Sequence, residues 1–372
     1  MTNRERLLAV LNYQDYDRLP LVHFGFWHET VAKWADEGHI TQDEAYHWGD
    51  GNPMDKSISK KLGFDFNYNT LVYANTDLVP SIESKVLEEM PDGSRKVLNG
   101  HGVVVIQKEG AGSIPMEVDH LLKSRKEWEE HFLPRLQFQP DRVRIDDEVK
   151  AYVDNKDRAD ICGLFCGSLF GMIRNWLGVE GSAYLYADDE VLFKEIIEHV
   201  GDLTYKCTEA MLKTTSAFDF AHFWEDICFK NGPLISPRVF DEYVGPQYKR
   251  VTDLVASYGI NIVSLDCDGC IDSLIPTWFA NGVNTMFPIE VGTWRASIQP
   301  WREKYGKELR GVGGMDKTVF AYDFAAIDAE IERLKPLVEL GGYIPCPDHR
   351  IAPDAKWDNV RYYCDKMHEI FG

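Results

Sequence analysis

An apolar run from Ile262 to Leu265 breaks off in Asp266-Cys267-Asp268-Gly269. Four other apolar runs beyond Phe218 end in the same abrupt way. One ends in His222-Phe223-Trp224-Glu225-Asp226, one in Glu290, one in Asp316-Lys317, and the last in Cys346-Pro347-Asp348-His349. Carboxylates with an imidazole suit a divalent metal that keeps an open position. They also suit general acid–base chemistry without a metal. The bland alternative for any one of them is a helix cap, a place where acidic side chains are stabilised. Cysteines at 267 and 270 add soft donors, but no second Cys pair stands at zinc-finger spacing. Side chains alternate along a strand, so Asp266 and Asp268 face one way and Cys267 the other.

The elements that must position these residues repeat regularly. Candidate strands at 162–166, 219–223, 262–265, 283–288, 309–312 and 343–346 are separated by amphipathic helical stretches such as 191–214 and 237–258. Alternating strand and helix at this spacing implies a parallel sheet. With the run from Leu21 to Trp27 and one more strand, a distorted (β/α)8 TIM barrel is within reach, one domain over 1–372. Its strand ends share one mouth, bringing Glu225, Asp266, Asp268, Glu290, Asp316 and His349 together. Trp27, Phe170, His222 and Trp224 then stand where a substrate would bind. The glycine-punctuated run from Gly167 to Arg174 reads as a loop that lets backbone approach a ligand. An N-terminal helical and β-hairpin extension precedes the main alternation. Thr2 and Glu5 make a capping box for its first helix, and residues 64–120 read as an antiparallel insertion, with turn signals at Pro91-Asp92-Gly93 and Asn99-Gly100.

Composition narrows the partners. Sixty acidic against 40 basic residues give a formal charge of −20, which disfavours a nucleic-acid groove or an anionic membrane surface. No apolar run reaches the roughly 18 residues a bilayer span needs. The N-terminus reads as an amphipathic helix rather than a signal peptide. Eight cysteines scattered through a long chain fit reduced thiols better than a disulfide framework. The expectation is a cytoplasmic protein.

The chain resembles the uroporphyrinogen decarboxylase superfamily of single distorted (β/α)8 barrels. The resemblance runs through Arg4-Glu5-Arg6, Asp17-Arg18-Leu19-Pro20, Gly167-Ser168-Leu169-Phe170-Gly171, Trp224-Glu225-Asp226, Asp266-Cys267-Asp268-Gly269 and the segment from Gly341 to Pro353. Decarboxylases of that superfamily carry an Arg-Gln-Ala-Gly-Arg motif after the first strand, whose arginines bind substrate carboxylates. Here the position reads Phe24-Gly25-Phe26-Trp27-His28-Glu29. The resemblance therefore points to the other branch, methyltransferases serving the cobalt of a corrinoid protein. Thiol-using members hold zinc with His-x-Cys-Gly and a late Cys, and the matching positions are Asp266, Asp268 and His349. Such a harder donor set suits an ether or hydroxyl oxygen. The implied activity is O-demethylation of a methoxylated, aromatic substrate by a methyltransferase I. Zinc or another divalent metal would sit on Asp266, Asp268, Glu290 and His349. Glu225, His349 and Asp268 would do the chemistry, and a corrinoid-binding (cobalamin) protein would be the partner of a homodimer. The alternatives are a metal-dependent decarboxylase or lyase of a small aromatic acid, and a non-catalytic barrel.

Overall fold

The computed structural model describes residues 1–108 and 115–372. In chain order its strands are β1 (Val22–His23), β2 (Phe66–Asn67), β3 (Leu71–Tyr73), β4 (Lys85–Glu89), β5 (Arg95–Leu98), β6 (Val103–Gln107), β7 (Met116–His120), β8 (Gly163–Phe165), β9 (Phe220–Trp224), β10 (Cys228–Phe229), β11 (Gly232–Pro233), β12 (Val263–Asp266), β13 (Thr285–Phe287), β14 (Arg310–Met315) and β15 (Tyr343–Pro347). Seven of them form one parallel sheet in the order β15-β14-β13-β12-β9-β8-β3. β1 pairs in parallel with β2. Just beyond β1 a parallel bridge joins Phe26 to Ile351, past the end of β15. First and last strand regions therefore lie side by side, and the α/β arrangement is TIM-barrel-like. No helix among the described residues is long and apolar enough to cross a membrane.

Local chemistry explains the helices that cover this sheet. Thr2 and Glu5 form the expected capping box at the helix Asn3–Leu11. The helix Glu190–Thr214 starts where Asp189 accepts from the Leu192 N–H at 2.9 Å. It buries Leu192, Phe193, Ile196, Ile197, Val200, Leu203, Cys207 and Met211, a stripe at helical spacing. Strands β12, β13 and β15, covered on both faces, are buried along their whole length, as parallel strands are.

The antiparallel part is narrower than 64–120. β4, β5, β6 and β7 form an antiparallel meander, and the six residues 109–114 lie outside the described residues. Phe66–Asn67 and Leu71–Tyr73 belong instead to the parallel system, β3 pairing with β8. A strand of two or three residues between turns carries no local mark of its pairing direction; the partner of β2 lies 44 residues away and that of β3 92 residues away. β4 is exposed along its length and carries Lys85, Glu88 and Glu89, charges that discourage edge-to-edge pairing.

Candidate active site

Strand register assembles the site. Tyr73, Phe165, His222 and Ser264 are successive partners across β3, β8, β9 and β12, so Tyr73, Phe165 and His222 line one cavity of about 330 Å³. His222 is fully buried and its Nδ1 lies 2.5 Å from Ser264 Oγ. Burial pushes its pKa down to about 3, so the ring stays neutral in ordinary buffers. Two residues along β9, Trp224 returns to the same face, and Asp226 follows at the next alternate position.

Asp226, Asp266 and Asp268 meet in this cavity, each offering an oxygen within 4.8 Å of the others. The Asp268 N–H donates to Asp226 Oδ1 at 3.0 Å, and Trp224 Nε1–H to Asp226 Oδ2 at 2.9 Å. Burial, then the nearby Asp268 charge, raises the Asp226 pKa to about 6. Asp266 is raised well above the carboxylate range by burial, then by Asp226 and Asp268, with Arg350 opposing. Like charges in a desolvated site do not all ionise without a counter-charge. Asp268 Oδ1 is buried with no hydrogen-bond partner, an orphan that natural structures rarely leave. Three clustered carboxylates, one with an orphaned oxygen, fit a divalent cation. At the rim, His349 Nε2 lies 3.2 Å from Asp268 Oδ2. Its ring stacks on Trp27 at 5.5 Å and meets Phe24 edge-on at 5.6 Å.

Thus Asp266, Asp268, His349, Trp27, His222 and Trp224 come together as the sequence suggests. Cys267 is buried and does not line the cavity, which leaves it the bystander alternation predicts. Other expected residues are elsewhere. Glu225, one residue out of phase with Trp224, points into the helix layer. Its carboxylate accepts the Leu169, Phe170 and Gly171 N–H groups at 2.8, 2.9 and 2.5 Å, and the Ser168 and Tyr248 hydroxyls. It caps the helix Gly171–Asp188 from outside. The glycine-punctuated loop wraps Glu225, where a Cβ on Gly171 would sit 2.1 Å from the Glu225 carbonyl oxygen, and its Ser168 and Met172 line a neighbouring cavity. Glu290 accepts from the Gly269 N–H at 2.7 Å and from Thr293, outside the carboxylate cluster. Phe170 packs against Phe193 and Phe240 in the core. Asp316 caps its own turn through the Thr318 N–H at 2.9 Å. For these the cap or core reading is the observed one.

Three features escape a reading of strand ends as a set. Asp226 replaces Glu290 in the carboxylate cluster; the alternation from Trp224 is the signal that finds it. Its φ of 48° turns the chain so that its side chain stays inward. Tyr73 and Asn69 line the cavity from residues 66–73, next to β8 rather than in a hairpin. Arg350 also lines it, clamped to Asp50 by contacts of 3.0 and 2.6 Å. Nothing local in the sequence pairs residues 300 positions apart.

A parallel α/β barrel-like fold with acidic strand ends in an aromatic-walled cavity defines a class of small-molecule site. The uroporphyrinogen decarboxylase (URO-D) family model matches residues 165–370, more than half of the chain, and the chain belongs to that family. Among solved structures it is similar to a methyltransferase from Methanosarcina mazei, at 14% identity and a TM-score of 0.60 over 99% of each chain. A fainter likeness, with a TM-score of 0.43 and 13% identity over 96% of this chain and 100% of the other, is to a proposed vitamin-B12 independent methionine synthase from Listeria monocytogenes. No curated protein sequence matches the chain.

Proposed function

We propose that this protein is a methyltransferase that takes a methyl group from a methoxylated aromatic compound and delivers it to the cobalt of a corrinoid carried by a partner protein. The observation that carries the reading is the Asp226–Asp266–Asp268 cluster, with its orphaned Asp268 oxygen, at the floor of an aromatic-walled cavity. Family membership and the likeness to the Methanosarcina mazei methyltransferase support the choice of chemistry. A divalent metal held by the three aspartates would supply Lewis-acid assistance to departure of the aryl oxygen.

The protein's own groups do the rest. Trp27, Phe165 and Trp224 offer flat apolar faces to the aromatic ring. His222, buried and neutral, adds a polar but uncharged wall. The reduced cobalt of the partner would supply the electron pair of the new bond to the methyl carbon, while the C–O bonding pair stays on the aryl oxygen. His349, fixed by Asp268 and by the Trp27 stack, is placed to hand that oxygen a proton. The acceptor protein would dock at the cavity mouth, and the chain's formal charge of −20 favours a partner with a basic rim.

The test is spectroscopic. The purified protein, its corrinoid protein with reduced cobalt and 2-methoxyphenol are mixed, and the methyl–cobalt absorbance is followed. Methyl transfer that depends on Asp268 is the expected result. No spectral change with any methoxylated, methylamine or methanol donor sinks the reading. Elemental analysis is expected to give one divalent metal per chain in the native protein.

A further inference from the structure

We infer that the methyl donor is an uncharged methoxylated phenol, and that the site turns away analogues bearing a carboxylate or phosphate. This rests on the proposed reaction for the identity of the donor, but its own support is the charge pairing of the cavity walls.

An acidic substrate needs a cation with a free donor, because an unpaired carboxylate placed in a desolvated site is strongly disfavoured. In the inner cavity the guanidinium is that of Arg350. It is held in a fork by Asp50, whose oxygens also accept from the Asn67 and Asn69 amides at 2.8 and 3.1 Å. The faces of the same guanidinium lie over the Phe24 and Trp48 rings, 5.4 and 5.7 Å from their centres. Its charge and its geometry are both committed.

A second cavity, of about 460 Å³, shares the side chains of Tyr73, Phe165 and Trp224 with the first. It offers the natural place for ring substituents away from the methoxy group. Its buried cation, Arg142, donates to the carbonyl oxygens of Gln137, Asn75, Asp77 and Arg135 and so ties down the wall. Arg144, which also lines this cavity, is 80% exposed and 3.6 Å from Asp141, so water screens its charge. Arg174 donates to the Asp226 carbonyl oxygen and lines neither cavity. Against these cations stand the three clustered aspartates, Asp50, Asp77 and Asp141. With all three aspartates ionised, a divalent ion leaves the cluster one negative charge. Aromatic walls with neutral polar groups such as Asn69, Asn75 and Thr76 suit a phenol.

The experiment compares 2-methoxyphenol with 4-hydroxy-3-methoxybenzoate in the metal-loaded protein. kcat/KM for methyl transfer to the corrinoid protein is expected to favour the phenol by at least about tenfold. Calorimetric binding of the demethylated products, catechol and 3,4-dihydroxybenzoate, needs no turnover and is expected to show the same order. The Asp50→Asn variant frees the Arg350 guanidinium and is expected to shift both ratios toward the acid by about tenfold. Equal or better use of the benzoate by the native protein, or tighter binding of its product, overturns the inference while leaving methyl transfer standing. Tighter catechol binding with no methyl transfer from any donor overturns the reaction and leaves the charge selectivity standing. Binding of neither product overturns the inference. If Asp50→Asn does not fold, as read by circular dichroism, the native comparison decides.

Discussion

Glu225 separates a structural carboxylate from a catalytic one. Replacing it by Gln keeps the volume but turns one acceptor oxygen into an NH2 group. Oε2 accepts from the Phe170 and Gly171 N–H groups and from Ser168, while Oε1 serves Leu169 and Tyr248. Whichever oxygen is lost, about two buried donors face a donor in its place. Each unsatisfied buried donor costs on the order of 1–3 kcal/mol, and loss of the charge at a helix N-terminus adds up to about 1 kcal/mol, for a total of about 2–7 kcal/mol. Unfolding entropy of about 2.1 cal/mol/K per residue turns this, for a chain of this length, into a Tm lower by roughly 3–9 °C. The assay is differential scanning calorimetry of native and Glu225→Gln protein, with metal content measured on the same samples. The expected outcome is a clear drop in Tm with metal stoichiometry kept at low temperature. An unchanged Tm with methyl transfer abolished would refute the capping assignment and return Glu225 to the chemistry.

Asp226→Asn removes a carboxylate that the register places beside Asp266 and Asp268. It is expected to weaken divalent-metal binding by on the order of tenfold to a hundredfold, read by competition with a chelating dye; Glu290→Gln is expected to weaken it far less. Glu44 makes the stability of the N-terminal helices depend on acid. Burial pushes its pKa up, but hydrogen bonds from Lys61, Ser57 and Thr41 outweigh this and bring it from 4.5 down to about 2. Its folded pKa is depressed, so its contribution is full above about pH 4.5 and lost as the pH falls toward 2. Partial exposure of the Lys61 partner reduces the expected gain to about 1–2 kcal/mol. Urea unfolding of Glu44→Gln should show that deficit at pH 7 and none near pH 2; a deficit constant with pH would rule the ion pair out as its source.

Several features needed no tertiary information. The alternation of apolar runs and amphipathic stretches after Cys162 marks a parallel α/β fold, because covered parallel strands must be apolar and their crossovers helical. The abrupt polar ends of those runs mark one face for chemistry. Period-two alternation separates Asp266 and Asp268 from Cys267, whereas the reading of strand ends chose Glu225 and passed over Asp226. Trp27, His222, Trp224 and His349 were legible as residues near strand ends in a fold that gathers such ends.

Tertiary structure decided which acids face the cavity and which cap a helix. Glu225, Glu290 and Asp316 have the same local sequence setting as Asp226 and Asp266, yet backbone N–H groups from other segments claim two of them, and Thr318 of its own turn claims the third. It also decided that Leu71–Tyr73 pairs in parallel with β8 rather than within the neighbouring meander, and that Asp50 meets Arg350 across the molecule. The physical reason is common to all of these. Propensity and alternation act over a few residues, whereas a hydrogen-bond acceptor is assigned by whichever donor the whole fold brings within about 3 Å. The sequence of Asp266-Cys267-Asp268-Gly269 named the place of the candidate site; the fold supplied Asp226, the paired arginine and the aromatic walls around it.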